Sequence, residues 1–347
     1  MTPQKPLNLF YQEPESDRWV PYDRYPRKAF RELLYATGLR RRRPSGHGMT
    51  YKNIKKGLDR ANISYRDNDF RYIQRHPNEL MWIVGKPSLL LDYDWPNPIV
   101  FGPCTFDHPL EQPGFWKSHP NVRKIVFYGP WMYDMFADFY PEERLEVGPV
   151  GIDVQEWSPE RSQEEKPDRV LLYDKVRWAH DRYEDVIIDP IREHLRRTGI
   201  EVETLRYGNY FPEDLKAALT RCKAVIFLCE HETQGIAYQQ MLASGVPVFA
   251  WDRRGYWQDP NFFPDRVRYE PVSSVPYWDD RCGMKFKTAE DFQKRFPDFW
   301  ERVEADEFSP RNYIVDNLTL EKCAEWYTDI VDGVRSHSAR SVDSRVP

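Results

Sequence analysis

Apolar positions along this chain fall into two kinds of run. Short unbroken runs, rich in Val, Ile and Phe and bounded by Gly or Pro, lie at Leu80–Val84, Pro98–Phe101, Lys124–Phe127 and Leu145–Gly148. Four more lie at Arg169–Tyr173, Ile200–Arg206, Ala224–Cys229 and Val248–Trp251. Strands of this kind suit a parallel sheet covered on both faces. Between them the apolar spacing lengthens to that of a helix, over Lys28–Ala36, Asn53–Ala61, Trp131–Tyr140, Tyr183–Arg197, Pro212–Thr220, Ile236–Ser244 and Leu318–Val334. A further short strand is expected at Val267–Tyr269. The alternation predicts an α/β chain with doubly wound parallel sheets. The first 20 or so residues are polar and proline-punctuated and read as an extended arm, and Ser336–Pro347 reads as a disordered tail.

One unit stands out. The run Ala224–Cys229 is followed by a loop carrying Glu232 and Gly235, a helix that stops at Gly245, and a second apolar run after Pro247. This strand–loop–helix–strand arrangement sets an acid and a glycine at a helix N-terminus. In open α/β sheets ligands bind at that end of the strands, where helix amides favour anions.

The spacing resembles that of retaining glycosyltransferases of the GT-B fold, family 4 in particular. These carry a Glu, a Gly three residues later, a second Glu, and an Ala–small–Gly–x–Pro–Val segment. Glu232, Gly235 and Leu242-Ala-Ser-Gly-Val-Pro-Val248 match. The second acid is Gln240 here, which offers an amide and no charge. A second match is Val150-Gly-Ile-Asp153 with Trp157-Ser-Pro159, which in the family lies at the crossing between domains. The resemblance implies two Rossmann-like domains facing each other across a cleft, divided here at about residue 150. Residues 1–150 would form the acceptor side, 151–330 the nucleotide-sugar side, and 331–347 a tail. In the family a closing helix folds back across the first domain.

The resemblance also assigns roles. Glu232 would lie against the donor sugar, with the Gly235 amide near sugar and phosphate and Gln240 at the ribose. The leaving diphosphate calls for fixed positive charge after the first strand of the second domain, where Tyr173-Asp-Lys-Val-Arg-Trp-Ala-His-Asp-Arg182 stands. Lys175 takes the first role and Arg182 the second, with Arg177 as a rival; a charged surface loop is the plain alternative. Gly208 and Tyr210, in Tyr207-Gly-Asn-Tyr-Phe-Pro212, fit a base-contacting loop or an ordinary turn. In the first domain His108, in Asp107-His-Pro109, is the candidate histidine near the reacting carbon; a structural turn explains it equally. His47 and His119 read as surface residues.

Composition narrows the class. Residues 1–150 hold 22 Lys and Arg against 18 Asp and Glu, while the remainder is acidic, for a net charge of −5. The basic loop Arg40-Arg-Arg-Arg43 reads either as a solvated loop or as a clamp for phosphate or an anionic membrane surface. Five cysteines without C-x-x-C spacing suggest reduced, buried thiols in a cytoplasmic protein. No metal cluster, Walker loop or nucleophile elbow is visible, and nothing calls for nucleic acid or a bound cofactor. The expectation is metal-independent transfer of a sugar from a nucleotide-diphospho-sugar to an unidentified acceptor. A non-catalytic GT-B module that binds nucleotide or glycan is the alternative, favoured by Gln240; an epimerase of the same fold is a second.

Overall fold

The computed structural model describes residues 5–13, 17–41, 45–159 and 166–343. Among the described residues eleven strands form two parallel sheets. The first contains β1 (Leu7–Tyr11), β2 (Tyr65–Asp67), β3 (Met81–Val84), β4 (Ile99–Phe101), β5 (Val122–Phe127) and β6 (Leu145–Val147), in the order β2-β1-β3-β4-β5-β6. The second contains β7 (Arg169–Lys175), β8 (Glu201–Arg206), β9 (Ala224–Cys229), β10 (Val248–Trp251) and β11 (Gly283–Phe286), in the order β11-β10-β9-β7-β8. Both are covered on both faces. Leu9, Trp82 and Val126 point to one side of the first sheet while Ile83, Phe101 and Phe127 point to the other. In β9 every residue is buried, which is why its sequence reads as one apolar run.

Two expectations need correction. The N-terminal arm contains β1, a strand between β2 and β3. Its polar residue, Asn8, is buried and donates from Nδ2 to the Leu80 carbonyl at 3.0 Å, so it joins two strands. The strand expected at Val267–Tyr269 is absent. Those residues lie in an irregular segment whose Trp257, Val267 and Val272 pack into the core of the first domain. The fifth strand is instead β11, paired with β10.

The closing helix runs Leu320–Asp343, past the end expected for it and into the expected tail. No proline follows until Pro347, and the single Gly333 does not break the helix. Ala324, Tyr327 and Val331 pack with Tyr51, Leu58 and Trp82, so the chain's last element lies on the first domain. The approach is close. A Cβ on Gly57 would overlap the Leu320 carbonyl, and one on Gly151 would come within 2.5 Å of Leu320 Cα.

Candidate functional site

The strand ends of the two sheets face each other. From the second domain come Lys175, at the end of β7, and the loop Glu230–Gln234 after β9. Gly235 then starts the helix Ile236–Ala243 in a left-handed conformation, φ +80°. A Cβ there would overlap the Tyr238 ring, so two constraints require glycine. From the first domain comes the helix Gly46–Arg60, capped by Ser45, whose Oγ accepts from the Gly48 amide at 2.9 Å. Ser45 and Gly46 share a cavity of about 330 Å³ with Lys175, Glu232, Gly235 and Gln240. Two helix N-termini therefore open on one space, which favours an anion.

Inside it the Glu232 carboxylate is paired with the Lys175 ammonium, both nearly buried. Burial works most strongly against the charge on Lys175, but Glu232, joined by Cys229 and Tyr207, outweighs it and the pKa is raised. The same ammonium lies 4.5 Å over the Tyr207 ring. Gly208, at φ +83°, and Tyr210 line this cavity, with Tyr210 hydroxyl-to-hydroxyl with buried Tyr173 at 2.6 Å. Asp174 is a buried tie. Its carboxylate accepts from the Val176 amide at 3.1 Å and from Arg206 at 2.5 Å, and lies 2.8 Å from His180 Nε2.

A second cavity, about 240 Å³, shares His47, Tyr128, Glu232 and Thr233 with the first. Arg177 lines it. Its amide and that of Trp178 each donate to Glu230 Oε1 at 2.8 Å, and its guanidinium donates to the His231 carbonyl at 2.9 Å. Trp131, Trp178 and Trp257 also line this cavity, as does Lys86, paired with Asp107 at 2.5 Å.

Two expected residues stand elsewhere. Arg182 is exposed, 6.0 Å from the Tyr183 ring, and lines none of the described cavities; Arg177 stands beside the site instead. His108 is buried against Phe262, ring centres 4.5 Å apart, and its Nδ1 accepts from the Leu110 amide. It is a packed histidine, with its pKa lowered first by burial. The first-domain histidine at the cleft is His47. Its Nδ1 lies 2.8 Å from Cys104 Sγ, and burial pushes that thiol up to about 12. Burial, then the charge of Lys86, lowers the pKa of His47 and keeps it neutral. The available signal was Pro44-Ser-Gly-His-Gly48, an N-cap serine amid glycines, masked by the basic run before it.

Of that basic run, Arg42 and Arg43 lie outside the described residues. Arg41 reaches the second domain, 3.6 Å from Glu213 and 4.4 Å over the Phe211 ring. A larger open groove of about 1520 Å³ lies between Arg123, Lys124 and Glu146 of the first sheet and Trp326 of the closing helix. None of its lining residues lines the cleft cavities, so it is apart from this chemistry.

No known protein-family model matches the chain, and no curated protein matches its sequence. Solved structures do. TarM matches with a TM-score of 0.52 and 11% identity, over 75% of this chain and 57% of that one. A point mutant of S. aureus TarM, solved with fondaparinux, alpha-GlcNAc-glycerol and UDP, matches with the same figures. The N-terminal domain of Candida albicans trehalose-6-phosphate phosphatase matches with a TM-score of 0.50 and 12% identity, over 96% of each chain. The chain has the GT-B fold. Two parallel sheets with facing strand ends, and a closing helix returned to the first domain, are the geometry of that fold. This chain spans little more than half of TarM, so what the GT-B likeness carries is the architecture of the cleft.

Proposed function

We propose that this protein is a retaining, metal-independent glycosyltransferase that uses a nucleotide-diphospho-sugar donor. The observation that carries the reading is the Lys175–Glu232 pair, set in a cavity onto which two helix N-termini open. A diphosphate entering there meets the Gly235 helix start, the Ser45-Gly46 helix start and the Lys175 ammonium. In the transfer the bond from the anomeric carbon to the diphosphate oxygen breaks and one to the acceptor oxygen forms. The acceptor proton passes to the departing diphosphate oxygen, on which charge grows and where Lys175 and the amides stabilise it. Glu232 holds the sugar. Gln240 reaches the ribose, and Tyr207, Gly208 and Tyr210 cover the base. The 240 Å³ cavity, with its three tryptophans, His47 and Arg177, takes the sugar and acceptor side. Closure of the cleft excludes water and limits hydrolysis of the donor.

The second reading, a non-catalytic nucleotide- or glycan-binding module, draws on Gln240 and on the mutual neutralisation of Lys175 and Glu232. A thermal-shift screen with nucleoside diphosphates and their sugars, on wild type and Glu232→Ala, tests donor binding. Saturation at about 100 times Kd should stabilise by about 2.7 kcal/mol. No shift with any donor ends the donor-site reading. A shift without release of nucleoside diphosphate, across an acceptor panel, favours the module.

A further inference from the structure

The helix Arg24–Ala36 buries none of its residues, yet its sequence is sharply two-sided. At helical spacing Pro26, Ala29, Phe30, Leu33 and Ala36 share one face, and Arg24, Arg27, Lys28 and Arg31 share the other. The apolar face is the open one: Phe30 is 63% exposed and Leu33 58%. Trp19, Val20 and Tyr22 before the helix, and Leu39 after it, are exposed as well. This patch is ordered rather than frayed. The Asp23 carboxylate accepts from the amides of Arg18 and Trp19 at 3.0 Å and from Arg27 at 3.0 Å, and Arg27 lies 5.3 Å over the Trp19 ring.

We propose that this face docks the protein on an anionic lipid surface. Charge complementarity selects the occupant. The described residues 17–41 hold seven Lys and Arg against three Asp and Glu, with basic residues on the polar face of the helix and exposed Arg18, Arg40 and Arg41 at its two ends. Apolar side chains buried at the headgroup boundary, Trp and Tyr at headgroup depth and cations beside them make an in-plane helix. A second copy of this chain on the same patch would bring two sets of arginines together. Among the described residues no helix is long and apolar enough to cross a membrane, so contact through this face is peripheral. The end of the helix also adjoins the cleft. Tyr35, Gly38, Arg40 and Arg41 line a cavity of about 600 Å³, which meets the donor cavity at Met49, Pro212 and Gln240. Docking would hold that opening beside the lipid surface. The inference stands apart from the glycosyl-transfer reading, because lipid binding is measured without donor or turnover.

The test is flotation of the full chain with vesicles of phosphatidylcholine alone, or containing about 30 mol% phosphatidylglycerol. The protein is expected to float with the anionic vesicles, to stay behind with the neutral ones, and to be released as salt rises. Phe30→Ser with Leu33→Ser should lower the partition coefficient at least about tenfold while leaving Tm unchanged, since neither side chain is buried. Absence of flotation with anionic vesicles overturns the proposal. So does equal flotation with neutral vesicles, or a double variant that floats like wild type. Sedimentation velocity without lipid supplies the remaining outcome: a dimer abolished by the same two substitutions assigns the face to a second copy instead.

Discussion

The indole of Trp131, in the first domain, donates a hydrogen bond of 2.7 Å to the carbonyl of Glu232, the second-domain residue paired with Lys175. One domain thereby fixes the backbone at the acid of the candidate site. Trp131→Phe keeps the ring and removes the donor. The expected result is a loss of about 1 kcal/mol, a fall of about 2–4 °C in Tm, and a smaller nucleotide-induced shift than wild type shows. Equal shifts in calorimetry would mean that the bond holds the domains together and does nothing for the ligand.

Lys175→Met leaves the Glu232 carboxylate without its partner in a nearly buried place. Breaking such a pair costs about 3–5 kcal/mol, whereas replacing both partners is often close to neutral. Lys175→Met with Glu232→Gln is therefore expected to recover most of the stability lost by Lys175→Met. Turnover should stay down by about a hundredfold or more in both. Chemical denaturation and a nucleoside-diphosphate release assay separate the two effects. Recovery of turnover in the double variant would remove Lys175 from the leaving-group role.

Two glycines at the cleft share a positive φ but differ in their surroundings. Beside Gly208 a Cβ meets nothing within 4 Å, whereas beside Gly235 it overlaps the Tyr238 ring. Gly208→Ala should cost only the left-handed strain, about 1 kcal/mol. Gly235→Ala should cost several times as much and also weaken nucleotide binding, because the helix start must shift. Tm and calorimetric Kd for both variants check the contrast.

Gln240→Glu restores the carboxylate that the family motif carries. Gln240 lines the donor cavity, with Arg40, Arg41 and Lys52 lining the space beside it. A carboxylate accepting from two ribose hydroxyls should tighten nucleoside-diphosphate binding about five- to tenfold. Unchanged or weaker binding by titration calorimetry would take the ribose away from this residue.

Asp153, at the crossing between domains, carries the clearest pH signature. Burial alone would raise its pKa, but the Glu156 amide, Arg60 and Lys56 together hold it down at about 2. A depressed carboxylate stabilises the fold above its unfolded pKa, and that contribution is lost as pH falls through the folded value. Wild type should therefore exceed Asp153→Asn by about 2 kcal/mol at pH 6. The gap should close between about pH 4 and pH 2 in thermal melts. A gap independent of pH would show that the salt links to Arg60 and Lys56 are not what Asp153 supplies.

The second domain is easier to read in the sequence than the first, for a physical reason. β9 and β10 are fully buried, so their apolar runs are unbroken, and Gly235 and Gly245 mark the helix between them. β1 is legible only through its partners, because a central strand with Asn8 inside looks polar until the Leu80 carbonyl is in place. β11 opens with Gly283, where a Cβ would overlap the Val248 carbonyl; glycine reads as a break in sequence and is a close approach in the fold. Histidines are the hardest. The one local sign, the capping Ser45 beside His47, is masked by the basic run, and which histidine faces the cleft depends on Phe262 covering His108 and Cys104 meeting His47.

The chain passes between its domains at Gly151-Ile152 and again at Leu318-Thr319, and these two passages touch. The Ile152 amide donates to the Leu318 carbonyl at 2.8 Å, and Ile152 bridges to Thr319. Two covalent straps bound side by side form a hinge pin. They place both covalent crossings on one line, like the spine of a book. Any opening about this crossing would part Trp131 from Glu232 and would also have to draw Trp257, Val267 and Val272 out of the first domain's core.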